Sequence, residues 1–324
     1  MCDVLVTEQM DGAALDELRQ HFDVEFAPDL WRDEAALLER VASCRALLVR
    51  NQTRVSRALL GAAGRLEVVG RAGAGLDNVD VAAATDAGVL VCYTPEQNAV
   101  SVAELAMGML LALARRLPAA DRSTRSGKWE RQRFTGTELY GKTIGVVGFG
   151  RIGFLLAMRA RAFGMRVLAH DPFVSPDAVT VVESGAEVVP LDELFARADV
   201  VSCHLPSTPA TRGFFDAERL GRMKPSSLFL NLARGEVVDE PALIAALQSG
   251  RLAGAGLDVR ATEPPAPSAL DTMDNVILTP HVAAFTEEAQ TRVVAAVCRD
   301  VAAVLGGRAP AYAANRPTPR AVPA

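Results

Sequence analysis

A glycine pattern directly after an apolar run constrains this chain more than any other feature. Residues 144–147 lead into Gly148, Gly150 and Gly153, in the spacing G-x-G-x-x-G, and a helical pattern continues to Phe163. In a strand–turn–helix unit the first glycine permits a tight turn, the second admits a pyrophosphate, and the third lets the helix pack against the strand. The positive end of the helix then attracts the phosphates. The segment therefore predicts a dinucleotide-binding α/β domain.

An acidic residue follows at the position expected of a ribose ligand. Asp171 ends the next apolar run, close to the spacing at which an acid binds the ribose of a dinucleotide. Its carboxylate is expected to accept hydrogen bonds from the adenosine ribose and to repel a 2′-phosphate. Pro172 and Phe173 come next, with no arginine to receive that phosphate. The sequence therefore favours NAD over NADP.

Short apolar runs alternate with helical patterns along most of the chain, as in α/β proteins with parallel sheets. A first series predicts one small sheet, with strands at residues 4–6, 46–49, 66–69 and 89–91. A second series starts at residue 143 and continues at residues 167–169, 200–202, 228–230, 256–258 and 276–278. The fold class that follows is α/β, with two open parallel-sheet domains.

A long helical stretch at residues 101–116 separates the two series of strands. Ser101 and Glu104 form a capping-box pattern, which predicts that the helix begins at Ser101. Pro118 is expected to stop the helix. We place the crossing between the domains just before this helix.

The order of the two series predicts that one domain is inserted into the other. The last helical pattern, residues 287–305, follows the second sheet and could return to the first domain. The prediction is a Rossmann NAD-binding domain at residues 99–285, inserted into a flavodoxin-like substrate domain formed by residues 1–98 and 286–324. The Pro- and Ala-rich segment from Gly306 is expected to be loosely packed.

Charge and cysteine content limit the possible partners. Lys and Arg number 34 against 39 for Asp and Glu, a net charge of -5, which argues against a general nucleic-acid binder. The apolar stretch at residues 105–114 is too short to cross a bilayer, and the first residues lack the pattern of a secretion signal. Five cysteines with no CxxC pair predict reduced thiols and no zinc site. We expect a cytoplasmic protein without nucleic-acid, membrane or metal partners.

Three polar residues follow apolar runs of the second series. Arg234, Glu263 and His281 each come after a different predicted strand. Because the carboxyl ends of parallel strands line the ligand crevice, an arginine, an acid and a histidine could converge on one substrate beside the nicotinamide.

Taken in order, these motifs resemble the D-isomer-specific 2-hydroxyacid dehydrogenase family, most closely its 3-phosphoglycerate dehydrogenase branch. The similarity runs from about the first strand to the last helix. Its strongest matches are residues 127–131 (GKWER), 136–139 (GTEL), 148–153, 231–239 and 279–281 (TPH).

The resemblance implies a catalytic trio. His281 would take the hydroxyl proton during oxidation of a 2-hydroxy acid and return it during reduction, because imidazole titrates near neutral pH. Glu263 would orient the imidazole, and Arg234 would grip the α-carboxylate with its planar fork. Hydride would pass directly to or from NAD. The same resemblance implies further cofactor contacts at Arg151, Ile152, Leu205, Pro206, Leu232, Ala233 and Asp258.

The first domain contains the specificity signal. By resemblance, backbone amides of its Gly-rich loop bind the substrate carboxylate, and three arginines surround a far phosphate. Three arginines carry more positive charge than one carboxylate needs, so we infer a second anionic group on the substrate. The candidates are 3-phosphoglycerate, sulfolactate with its sulfopyruvate partner, and phosphonopyruvate. The predicted substrate contacts are Arg50, Asn51, Arg71, Ala74, Gly75 and Arg131.

Two other functions stay open. A plain glyoxylate or hydroxypyruvate reductase would keep the chemistry without needing the arginines, and an NAD-sensing co-repressor would share the fold. The resemblance also implies a homodimer, with residues 101–116 and 128–133 near the contact. From where the chain ends, we expect no added regulatory domain and no feedback by serine.

Overall fold

The computed structural model describes residues 2–318 and divides the chain into two compact units. Unit 1 comprises the residues up to Asn98 together with those from Phe285 onward, and unit 2 comprises Ala99–Ala284. The sequence predicts an inserted domain that ends at residue 285. Phe285 groups with unit 1 instead, where the Arg50 guanidinium lies 5.3 Å from the centroid of its ring.

Within the described part of unit 1, five parallel strands form a sheet in the order β2-β1-β3-β4-β5. The strands are β1 (Val4–Val6), β2 (Val24–Phe26), β3 (Ala46–Val49), β4 (Val68–Arg71) and β5 (Leu90–Tyr93). The helices that alternate with them are α1 (Ala13–His21), α2 (Glu34–Val41), α3 (Arg57–Ala62) and α4 (Val81–Asp86), with a 3-10 turn at Leu30–Arg32. β1 and β3 are wholly apolar and buried, as expected of a parallel sheet covered on both faces.

In unit 2, seven parallel strands in residues 99–284 form a sheet in the order β12-β11-β10-β9-β6-β7-β8. They are β6 (Thr143–Val147), β7 (Arg166–His170), β8 (Glu187–Val188), β9 (Val200–Cys203), β10 (Leu228–Asn231), β11 (Gly254–Leu257) and β12 (Val276–Leu278). The helices are α5 (Ala99–Ala114), α6 (Leu117–Arg125), α7 (Arg151–Ala162), α8 (Val179–Ser184), α9 (Leu191–Arg197), α10 (Ala217–Arg222) and α11 (Glu240–Gln248). Short 3-10 turns lie at Arg131–Phe134, Gly235–Val237 and Ala269–Thr272.

The two strand orders confirm the predicted fold class. Unit 1 has the flavodoxin-like order, and unit 2 has the Rossmann order extended by one strand. The direction of strand addition reverses between β6 and β9, so the glycine turn after β6 lies at the switch point of the sheet. This is the position at which open α/β sheets bind ligands.

The start and end of α5 differ from the prediction. The helix begins at Ala99, and Ser101 lies inside it with 4% of its surface exposed, so Ser101 does not cap the helix. Burial of this face among the apolar residues of α5 outweighs the local capping pattern. Pro118 does not simply end the helix but occupies the first turn of α6, where its missing N–H costs nothing.

The last helix, α12 (Glu287–Leu305), packs on the sheet of unit 1, as the sequence predicts. A side chain at Gly70 of β4 would lie within 2.8 Å of the Val297 and Val301 side chains, so the helix rests directly on the strand. The segment after Gly306 is not loosely packed where it is described. Asn315 accepts a hydrogen bond from the main chain of β5 at 2.8 Å and donates to the Val89 carbonyl at 2.9 Å.

Candidate active site

The glycine turn after β6 has the geometry that the sequence predicts for a pyrophosphate site. Gly148 has a φ of 91°, and a side chain there would meet a carbonyl oxygen after β9 at 2.8 Å. A side chain at Gly153 would lie 2.6 Å from the Gly148 carbonyl oxygen, so this glycine lets α7 pack against β6. Gly150 faces open space. Within residues 2–318, the N–H groups of Arg151 and Ile152 have no acceptor, so they can bind an anion.

Asp171 directly follows β7, and main-chain donors fix its carboxylate. Oδ2 accepts from the N–H of Phe149 at 2.8 Å, and Oδ1 accepts from the N–H of Phe173 at 2.9 Å. Because Phe149 belongs to the glycine turn, the acid and the turn are tied together. In the described chain Asp171 has no ion-pair partner, and each oxygen retains room for the hydrogen bond of a ribose hydroxyl.

The other predicted cofactor residues lie just beyond the carboxyl ends of strands in the same sheet. Leu205 and Pro206 follow β9, Leu232 and Ala233 follow β10, and Asp258 follows β11. The structure thus brings them to the edge at which ligands bind in an open parallel sheet. Their contact with the cofactor stays a prediction.

His281 and Glu263 form a hydrogen-bonded pair at this edge. Nδ1 of His281 lies 2.7 Å from Oε2 of Glu263, and the main-chain N–H of Arg260 donates to Oε1 at 3.2 Å. Burial raises the pKa of Glu263, but the hydrogen bond with His281 and the charge of Arg234 hold it below its usual value. Glu263 is therefore ionised at neutral pH and fixes the imidazole with Nε2 left for a substrate. His281 and Glu263 are thus in direct contact, and the charge of Arg234 acts on the same carboxylate.

Asp258 holds the loop that contains His281. Its buried carboxylate accepts from the Thr279 hydroxyl at 2.5 Å and from the N–H groups of Val282 and Ala283 at 2.8 and 2.9 Å. Its carbonyl oxygen accepts from the N–H of His281 at 2.8 Å. His281 has a φ of 55°, a left-handed conformation that costs energy in a residue other than glycine. The four hydrogen bonds to Asp258 stabilise this conformation.

Asn231 holds the loop that contains Arg234. Its buried amide donates to the carbonyl oxygen of Arg234 at 2.9 Å, and its side-chain oxygen accepts from the N–H of Ala233 at 3.1 Å. One guanidinium nitrogen of Arg234 donates to the Ala233 carbonyl at 2.7 Å. The planar guanidinium is half-buried beyond the end of β10, and its fork of N–H donors has the shape that binds a carboxylate.

In unit 1, a buried acid shapes the first predicted substrate loop. Glu8, 3% exposed, accepts from the main-chain N–H groups of Arg50, Gln52 and Thr53 at 2.8 to 3.0 Å. The side-chain amide of Asn78 donates to the carbonyl oxygens of Arg50 and Thr53 at 2.9 and 2.7 Å. Two side chains from outside the loop therefore fix its backbone.

The Arg50 guanidinium has only neutral partners. It donates to the carbonyl oxygen of Gln9 at 3.2 Å and to the side-chain oxygen of Gln290, and it lies over the ring of Phe285. Among residues 2–318 no carboxylate lies within 4 Å of it. Burial lowers the pKa of Arg50, with a partial offset from two more distant carboxylates. Arginine remains charged under these conditions, so the loop presents a cation without a counter-ion.

The second predicted substrate loop follows β4, next to the first. The guanidinium of Arg71 lies over Gly73, where a side chain would come within 1.6 Å of Nη1. In the part of the chain that is described, the N–H groups of Ala74 and Gly75 donate to no acceptor. Adjacent unpaired N–H groups of this kind form a binding site for a carboxylate.

The two remaining predicted substrate residues are exposed. Asn51 lies in the Arg50 loop, and its side chain makes no hydrogen bond within residues 2–318. Arg131 belongs to unit 2, at the start of the turn Arg131–Phe134, and has no ion-pair partner in the described residues. The structure therefore places the first five predicted substrate contacts on two neighbouring loops of unit 1 and the sixth in the other unit.

Residues 107–283 match the family model of the D-isomer-specific 2-hydroxyacid dehydrogenase NAD-binding domain. The chain belongs to this family. It is similar to the D-3-phosphoglycerate dehydrogenase of Mycobacterium tuberculosis, with 47% identity over 304 residues, which are 94% of this chain and 57% of that protein. The structure of the TT0316 protein from Thermus thermophilus is 37% identical, with a TM-score of 0.90, and covers 97% of this chain and 100% of that chain.

A third relative was solved with its ligands. The D-lactate dehydrogenase of Aquifex aeolicus, in complex with NAD and lactic acid, is 30% identical, with a TM-score of 0.84, over 94% of this chain and 96% of that chain. Family membership confirms NAD as the predicted cofactor, and the open space at Gly150 with its unpaired amides fits a pyrophosphate.

The chain spans little more than half the length of the phosphoglycerate dehydrogenases that it matches. None of the helices described in residues 2–318 has the length and apolar character needed to span a membrane.

Three residues that support the site are not predicted from the sequence: Glu8, Asn78 and Arg260. The sequence does mark Glu8, because this residue follows the apolar run of β1, and the other site residues also follow apolar runs of strands. Asn78 and Arg260 have no such signal, because each acts on a partner loop that only the folded chain brings near.

Proposed function

We propose that this protein is an NAD-dependent oxidoreductase that interconverts a D-2-hydroxy acid bearing a second anionic group and the matching 2-oxo acid. The observation that carries the proposal is the Arg50 cation, which has neutral partners and no carboxylate within 4 Å in the described chain. A substrate phosphate would supply the missing counter-charge. Among the three candidates, 3-phosphoglycerate has the additional support of relatives named D-3-phosphoglycerate dehydrogenase.

In this proposal, unit 2 binds NAD and performs proton transfer. NAD, held by the glycine turn after β6 and by Asp171, would supply the hydride chemistry when it is bound. During oxidation Nε2 of His281 takes the substrate's hydroxyl proton, and during reduction it returns that proton to the oxygen. Glu263, held ionised by its surroundings, stabilises the imidazolium that forms. Arg234 binds the α-carboxylate and polarises the carbonyl oxygen with the planar donors of its guanidinium.

Unit 1 supplies anion-binding groups in the same proposal. The unpaired N–H groups of Ala74 and Gly75 bind the substrate carboxylate. Arg50 and Arg71 neutralise the second anionic group, with Arg131 of unit 2 as a further contact. Because Glu8 and Asn78 fix the Arg50 loop before substrate arrives, little ordering entropy is lost on binding.

The proposal includes a homodimer. The exposed ring of Trp129 in unit 2, at 79% exposure, supports it, because aromatic side chains are enriched at subunit contacts. Trp129 lies within residues 128–133, one of the two segments expected near the contact.

The test is NADH oxidation by the purified protein with five 2-oxo acids: phosphohydroxypyruvate, sulfopyruvate, phosphonopyruvate, hydroxypyruvate and glyoxylate. We expect kcat/KM for one of the first three to exceed that for hydroxypyruvate by about 100-fold, the effect of two charge-assisted hydrogen bonds. The preferred compound identifies the second anion.

Two other outcomes would favour the alternatives. Equal or higher kcat/KM with glyoxylate or hydroxypyruvate would indicate a plain reductase, in which the arginines are surface charges. Tight NADH binding without turnover of any of the five compounds would indicate an NAD-sensing binding protein such as a co-repressor.

A further inference from the structure

An ion pair between a buried arginine and a partly buried glutamate lies beside the catalytic residues without containing any of them. Arg260, in the loop after β11, has a side chain that is 7% exposed. Its guanidinium donates to both oxygens of Glu240, from Nη2 at 2.6 Å and from Nε at 3.1 Å. Glu240 is the first residue of α11, the helix that follows the Arg234 loop. The pair therefore joins the loops after β10 and β11.

The rest of the Arg260 side chain is also fixed. Nη2 donates to the Ser268 hydroxyl at 3.0 Å, and Nη1 lies 3.6 Å from Asp271. Ser268 in turn caps the short turn Ala269–Thr272. The hydrogen bond to Arg260 lowers the pKa of Glu240, so both members of the pair are charged at neutral pH. A bidentate pair with these further bonds holds residue 260 more rigidly than a single contact could.

The main chain of Arg260 contacts the catalytic loops on both sides. Its N–H donates to Oε1 of Glu263 at 3.2 Å, while Oε2 of the same carboxylate bonds to His281 at 2.7 Å. Its carbonyl oxygen lies against Gly235, the residue after Arg234, so closely that a side chain at 235 would come within 1.9 Å. A shift of residue 260 would therefore disturb its hydrogen bond to the carboxylate that orients the imidazole.

We infer that the Arg260–Glu240 pair is a positioning device, which holds Glu263 in register with His281 for proton transfer. This inference rests on the proposed function for its kinetic consequence, but not for the geometry that it describes. Misplacement of a catalytic group by about 1 Å can cost about 100-fold in rate. Neither side chain touches the reacting atoms, so both act through Glu263.

A double-mutant cycle tests whether the pair acts through Glu263. The paired replacement Arg260→Met with Glu240→Gln avoids leaving one buried charge without its partner. We expect it to lower kcat by about 10-fold or more, with KM for the 2-oxo acid and Kd for NADH unchanged. In a Glu263→Ala background the same replacement should change kcat by less than about twofold, because the group it positions is absent.

The matched control is a second bidentate pair in unit 2. Arg197 donates to both oxygens of Glu187 at 2.8 and 2.5 Å on the exposed surface, and replacing it by Arg197→Met with Glu187→Gln should leave kcat unchanged. An equal loss of kcat with and without Glu263, or no loss at all, would overturn the inference. Circular dichroism and thermal unfolding establish that each variant is folded.

A second readout does not depend on turnover. The chain has only four histidines, so the ring signals of ¹⁵N-histidine protein can be assigned by single replacements. The Nδ1 proton of His281, bonded to Glu263, should give a downfield signal that broadens or disappears in the Arg260→Met, Glu240→Gln variant and persists in the control. An unchanged signal contradicts the inference. Loss of the signal in a protein that reduces none of the five 2-oxo acids would refute the proposed function and leave the positioning role standing.

Discussion

The loops at the carboxyl edges of the two sheets differ in whether their charged side chains have oppositely charged partners. In unit 2, Glu263 is paired with His281 and Arg260 with Glu240, at hydrogen-bonding distance in both cases. In unit 1, Arg50 has only neutral side-chain partners in the described chain, although hydrogen bonds to Glu8 and Asn78 fix the backbone of its loop.

We interpret this difference as one between residues that support proton transfer and residues that bind a ligand. A charge paired inside the protein is held in place and does not need a ligand, which suits groups that orient and stabilise a proton carrier. A charge fixed without a counter-ion remains unneutralised until an oppositely charged ligand binds. Paired charges therefore predict loss of kcat on replacement, and unpaired charges predict loss of binding.

The largest expected effect is a loss of kcat when His281, which is paired with Glu263, is replaced. His281→Ala removes the group that exchanges the proton, and we expect kcat to fall by about 1,000-fold or more. Binding of NADH should stay within about twofold, because the glycine turn and Asp171 are untouched. Steady-state kinetics and a fluorescence titration with NADH measure the two quantities.

His21→Ala is the control, because His21 is exposed at the end of α1 in unit 1. It should leave both quantities unchanged. Retained turnover in His281→Ala would contradict the proton-transfer role. Loss of NADH binding in the same variant would indicate that the His281–Glu263 pair also contributes to the cofactor site.

A smaller effect, on KM, is expected when Arg50, which has no carboxylate partner in the described chain, is replaced. Arg50→Met keeps the length of the side chain and removes its charge, so KM for the preferred doubly anionic substrate should rise by about 100-fold. KM for glyoxylate, which has no second anionic group, should barely change. Arg54→Met, four residues away and exposed, is the control. An equal change in KM for both substrates would show that Arg50 does not bind the second anionic group, and the contrast between paired and unpaired charges would fail.

Much of the framework could be predicted from the sequence, because burial of a continuous apolar run leaves a local signal. The bounds predicted for β1, β3, β12 and α12 agree with those observed, and the fold class followed from their alternation. β2 and β8 were missed. They lie at the edges of their sheets and are only partly buried, so neither forms an apolar run.

The supporting contacts of the site could not be predicted, because they join segments far apart in sequence. Glu8 holds a loop 42 residues away, and Glu240 holds an arginine 20 residues away. Neither spacing has a period or motif that marks it. Ser101 is the opposite case, because the sequence contains a local capping pattern that the structure does not use. Ser101 lies buried inside α5 instead of capping it.

The smallest expected effect concerns Asp171, an exception in unit 2. Its carboxylate is fixed by main-chain N–H groups and, like Arg50, has no oppositely charged partner in the described chain. If unneutralised charges mark ligand sites, Asp171 should act on the cofactor: it favours the ribose hydroxyls of NAD and repels the 2′-phosphate of NADP. Asp171→Asn removes the charge and keeps the shape.

We expect the ratio of kcat/KM for NADH to that for NADPH to fall by about 10-fold in Asp171→Asn, because like charges in contact oppose binding. The ratio isolates this effect, since any loosening of the glycine turn weakens both cofactors equally. Asp177→Asn, an exposed acid six residues further on, should leave the ratio unchanged. An unchanged ratio in Asp171→Asn would mean that a fixed charge without a counter-ion does not by itself identify a ligand site, which would also weaken the argument from Arg50.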